Sequence, residues 1–118
     1  MTQLDDALRS VQEHDGVEHV LLVGMDGLLV RHVGDGTSLD PDRVAAMVPG
    51  VVTAAGSFSH AAEGGDPMTA VLELDRGVAV LTPLSDELLL AVLLRSGVGF
   101  APLLREIRRG RSRLASLV

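Results

Sequence analysis

The chain has 118 residues, no cysteine, tyrosine or tryptophan, two phenylalanines and a formal charge of −6. This length makes a single domain that buries roughly two thirds of its unfolded surface, and the missing cysteines exclude disulfides, a thiolate nucleophile and thiolate metal ligation. The acidic balance and the scarcity of aromatic stacking platforms argue against nucleic acid as a partner.

The first residues, MTQLDDALRSVQEHD, lack the basic and apolar regions of a secretory leader, so a cytoplasmic location is expected. Leu4, Ala7, Leu8 and Val11 recur at helical spacing, with Thr2 as a cap and Asp5 and Asp6 at the end where the dipole favours anions. Asp15-Gly16 closes this helix, and a Val/Leu strand follows over His19 to Met25. Asp26-Gly27 then reads as a two-residue type I′ turn with positive φ at both positions, returning the chain as Leu28 to Val33.

Gly34, Asp35 and Gly36 form a loop; Asp40 is placed to cap a second helix, with Pro41 at its first position. From Val44 to Ala62 that helix carries no formally charged side chain. At helical spacing Val44, Met47, Val48, Val51, Val52, Ala55 and Phe58 form an apolar stripe suited to a sheet. The back carries Ala46, Pro49, Gly50, Thr53, Ser57 and His60, where a surface helix would carry Lys and Glu. A domain this small has no further layer to cover that back, so a second copy of the chain is the expected cover, and membrane insertion is not expected. Pro49 is a candidate kink.

Three strand-like runs follow, MTAVLEL, GVAVLT and LLLAVLL, joined at Asp75-Arg76-Gly77 and across Pro83 to Glu87. Short connections imply antiparallel neighbours. Beyond Gly97, the residues Phe100, Leu103, Leu104, Ile107, Leu114 and Val118 share one helical face, with Arg105, Arg108, Arg109 and Arg113 opposite and Gly110 permitting close packing. The fold expected over residues 1–118 is one α+β domain of order α-β-β-α-β-β-β-α.

No catalytic constellation appears. His14, His19, His32 and His60 show no ligand spacing along the chain, so neither a metal nor a cofactor is expected. Gly97-Val98-Gly99 lacks the third glycine of a dinucleotide loop, and neither a phosphate-loop lysine nor a nucleophile elbow occurs. The arginine face of the last helix is either a solvated surface or a contact for an anionic partner.

GVEHVLLVGMDGLLV, the small-residue helix through VVTAAGSF, AVLELDRGVAVLTPLSDELLLAVL and GVGFAPLLREIRR together resemble the Roadblock/dynein light chain family, and more closely its bacterial branch, which accompanies Ras-like small GTPases. The resemblance covers about Leu4 to Leu117. It implies a Roadblock-like five-stranded antiparallel sheet with helices on both faces, and a homodimer whose sheets join edge to edge, with the second helices paired on one face and the first and last helices on the other. The pairing edge would then be Met68 to Leu74, including Met68, Ala70 and Leu72. The pairing helix would be Val44 to Phe58, with Val44, Met47, Val48, Val51, Val52, Ala55 and Phe58 at the interface and Ala46, Gly50, Thr53 and Ser57 facing a further partner. The function implied is a non-enzymatic regulator or scaffold of a Ras-like small GTPase, as a GTPase activator at most, without catalytic residues of its own. The alternative is a sensory module of the PAS or profilin-like kind, whose sheet encloses a metabolite.

Overall fold

Three apolar runs build the centre of a five-stranded sheet, and each is buried on both sides because helices cover both faces. The computed structural model describes residues 2–34 and 38–118, so the Asp35 and Gly36 part of the expected loop lies outside the described residues. The elements are α1 (Gln3–Gln12), β1 (Val17–Gly24), β2 (Leu29–Gly34), α2 (Pro41–Ala61), β3 (Ala70–Leu74), β4 (Gly77–Pro83), β5 (Leu88–Arg95) and α3 (Ala101–Ser116). The strands lie in the order β2-β1-β5-β4-β3, every neighbouring pair antiparallel.

Alternation along the strands divides the core in two. Val20 and Leu22 of β1, Val78 and Val80 of β4, and Leu90, Val92 and Leu94 of β5 pack against Ala7, Leu8 and Val11 of α1 and Leu103, Ile107 and Leu114 of α3. The intervening residues Leu21, Val23, Ala79, Leu81, Leu89 and Ala91 point the other way and meet Ala45 and Val48 of α2. Two helices thus cover one face and one helix the other.

The helix caps form as expected. Thr2 Oγ1 accepts from Asp5 N at 3.1 Å, and Asp40 Oδ1 accepts from Asp42 N at 3.1 Å and Arg43 N at 3.4 Å. Helix α2 continues through Pro49, whose ring removes the hydrogen bond to Ala45 without ending the element. By length and composition alone α2 could cross a bilayer. Here it lies on the sheet with Ala45 and Val48 buried.

The turn after β1 differs from expectation. Gly27 has φ +83°, but among the described residues only Glu63 is a non-glycine with positive φ, so Asp26 does not adopt the type I′ conformation. Gly27 N donates to Gly24 O and Gly24 N to Leu28 O, both at 2.9 Å, which makes a three-residue loop of Met25, Asp26 and Gly27. Gly27 supplies the left-handed position after a tight turn, and the Asp26 carboxylate accepts from Leu28 N at 3.1 Å. The extra loop residue shifts the hairpin by one, and a bulge at Val30 restores it: Val23 pairs with Leu29, but Leu22 pairs with Arg31.

Two further expectations change. The stripe drawn through Val44, Met47 and Phe58 is too wide: the buried line runs through Ala45 and Val48, and Met47 and Phe58 project to solvent at 68 % and 76 % exposure. A helix whose far side carries small and weakly polar residues in place of charges gives little periodic signal for which side meets the sheet. Gly110 does not serve close packing, since a Cβ there would meet nothing within 4 Å. Val118 lies beyond α3 and is exposed.

Candidate interaction surface

The α2 face of the molecule combines an uncovered apolar helix, an open sheet edge and the cleft between them. Only 17 % of the most apolar window of α2 is buried. Met47 and Phe58 are eleven residues apart, which at about 100° per residue puts them on one line of the helix. Val44, Val51, Val52 and Ala55 are half-buried between that line and the sheet, and Val48 is buried against its own sheet. Ala46, Gly50, Thr53 and Ser57 are all exposed on the flank of the same line, and none carries a charge or a bulky side chain.

The sheet has two edges, and they are unlike. On β2 the bulge interrupts the ladder, and the charged Arg31 pairs its Nε with Asp5 Oδ1 at 3.6 Å, tying the edge to α1. Bulges and charges are the usual means of keeping a sheet edge from recruiting another strand. On β3 the register with β4 is regular from Ala70 opposite Leu81 to Leu74 opposite Gly77. Ala70 and Leu72 are half-buried against the α2-side core, and Leu74 is exposed. Met68 lies before the strand; its carbonyl accepts from the buried Thr82 Oγ1 at 2.7 Å, which holds the approach to β3 against β4.

Between the N-terminal half of α2 and the ends of β1, β4 and β5 runs an open cleft of about 910 Å³. Val44, Met47, Leu74, Ala79 and Leu93 give it apolar walls, with Glu18, Arg43 and Arg76 at its rim and His19 among its lining. Among the described residues no three His, Cys, Asp or Glu side chains gather into a metal-binding cluster. The surface can bury apolar area and pair a strand.

The sequence pattern missed one pairing. His19, 4 % exposed, places Nδ1 3.0 Å from Nε2 of His32 on the α2 side of the hairpin. Spacing along the chain could not find it; pairing across the hairpin could, because Leu21 faces His32 and His19 faces Gly34.

Comparisons with known proteins agree with this architecture. The sequence matches the Roadblock/LC7 domain family over residues 3–94. A Roadblock/LC7 domain from Streptomyces avermitilis is 27 % identical, with 98 % of this chain and 92 % of that one covered and a TM-score of 0.75. The gliding protein MglB of Thermus thermophilus is 15 % identical at a TM-score of 0.85, covering 97 % of this chain and 87 % of its own. MglB of Myxococcus xanthus is 16 % identical at a TM-score of 0.86, covering 98 % and 94 %. No curated protein matches. With the family match spanning most of the chain and the same eight-element fold in these structures, the protein belongs to the Roadblock/LC7 domain family.

Proposed function

We propose that two copies of the chain pair through α2 and the β3 edge, and that the paired helices form a platform for a Ras-like small GTPase in the bacterial cytoplasm. The observation that carries this reading is the exposure of Met47 and Phe58 on the uncharged stretch of α2 that begins at Val44, next to the β3 edge, where among the described residues no bulge or ion pair interrupts pairing. A large apolar patch left to water is costly, and an isologous two-fold contact covers it twice over. The interface would take Met47, Val51, Ala55 and Phe58 from α2 with Ala70 and Leu72 from β3, and Met68 at its margin. Ala46, Gly50, Thr53 and Ser57, small and exposed, would receive the GTPase because they allow close approach of another backbone.

The role is that of a non-enzymatic regulator and scaffold. Where it accelerates GTP hydrolysis, it does so by ordering the switch segments and catalytic groups of the GTPase, which need position more than new chemistry. Membership of the Roadblock/LC7 family and the likeness to the MglB gliding proteins support this assignment. The test is capture of a bacterial Ras-like GTPase loaded with GTP or with GDP, followed by single-turnover hydrolysis with and without the protein. Binding that prefers one nucleotide state is expected; no binding in either state would contradict the reading.

A further inference from the structure

The face opposite the proposed platform carries the most concentrated charge in the molecule. Residues 105–113 hold five arginines and one glutamate in a chain that is otherwise strongly acidic. The apolar side of α3 is committed to the core through Leu103, Ile107 and Leu114, so Arg105, Arg108, Arg109 and Arg113 stand in water. Among the described residues none of them forms an ion pair; the pairs that exist are Arg31 with Asp5 and Arg95 with Asp15.

This arrangement works against the helix itself. Arg105, Arg109 and Arg113 follow one another at i, i+4, and Arg105 and Arg108 at i, i+3; like charges at these spacings destabilise a helix. A row of repelling cations is retained at a cost to folding that an anionic partner would offset. The partner's shape is constrained as well. The arginines sit on the convex outer side of a helix with no aromatic side chain among them, which offers no stacking platform for bases. An exposed row of arginines along one helix face suits a plane of anionic headgroups, each cation near such a surface adding about 1 kcal/mol.

We infer that the outer face of α3 is a docking surface for an anionic phospholipid bilayer, held peripherally through Arg105, Arg108, Arg109 and Arg113. Contact is electrostatic and reversible, since the apolar side of the helix stays in the core. Because α2 lies on the other side of the sheet, the membrane face and the proposed GTPase platform can be occupied together, and each reading can fail without the other.

The experiment is co-sedimentation of the full chain with vesicles of phosphatidylcholine alone, or of phosphatidylcholine containing phosphatidylglycerol, at low and high salt. Pelleting is expected with the anionic vesicles only, weakening as salt screens the arginines. Each Arg→Gln substitution on the outer row is expected to weaken binding about fivefold. Arg109→Glu separates binding from folding: it should weaken pelleting more than Arg109→Gln does yet leave the thermal midpoint near that of wild type, because the exposed side chain gains attractions to Arg105 and Arg113 and a repulsion from Glu106. Equal pelleting with neutral vesicles, no pelleting with anionic ones, or undiminished binding by Arg108→Gln/Arg109→Gln would overturn the inference. So would capture by a single-stranded oligonucleotide without binding to vesicles.

Discussion

His19 Nδ1 and His32 Nε2 meet at 3.0 Å across the β1–β2 hairpin, with ring centroids 5.2 Å apart and planes inclined by 24°. The centroid separation exceeds the N···N distance by little less than two ring radii, so the rings meet end to end and one nitrogen donates to the other. The pair depends on the bulge at Val30, because a shift of one residue in the register would turn His32 to the opposite face. His32→Leu removes a partner of the buried His19 and is expected to cost about 1–3 kcal/mol. In urea unfolding, His19→Leu/His32→Leu should cost less than the two single changes summed, and strict additivity would show that the contact contributes nothing.

Gly110 gives a prediction of the opposite sign. It lies inside α3 in helical conformation, and a Cβ there meets nothing within 4 Å. Gly110→Ala should therefore stabilise the fold by about 1 kcal/mol through helix propensity alone. A rise in the urea midpoint at constant slope is the expected readout.

Asp40 carries the start of α2 by accepting from the backbone N–H groups of Asp42 and Arg43. Asp40→Ala should cost about 1 kcal/mol, and Asp40→Asn much less, since the amide oxygen can still accept. Equal losses for both would point to the charge and not the cap; raising the ionic strength would then reduce the difference from wild type.

The fold was legible because its signals are local. Continuous Val/Leu runs mark strands buried on both faces, as at Val20 to Val23 and Leu89 to Val92, and Thr2 and Asp40 mark helix starts through a single hydrogen-bonding atom each. The turn at Met25, Asp26 and Gly27 is ambiguous in sequence because Asp-Gly suits both a two-residue loop and a three-residue loop with glycine in the left-handed position. The bulge at Val30 then cancels the difference, so the strand register matches the simpler reading although the turn does not. In the candidate surface, the uncharged stretch of α2 from Val44 is legible in the sequence, and Met47 and Phe58 within it are exposed. Its orientation was hidden: Ala45 and Met47 are both apolar, and only packing against the sheet buries the first and exposes the second.

The central claim is that α2 and β3 form a contact between two copies of this chain, and the most direct measurement is the molar mass in solution, by sedimentation velocity across a concentration series. Wild type is expected at twice the 12.4 kDa of one chain, and Met47→Arg/Phe58→Arg at that single mass with unchanged secondary structure, since both side chains stand in water in the isolated subunit. A wild-type protein that stays monomeric at the highest concentration, or a double variant that keeps the dimer mass, would contradict the account.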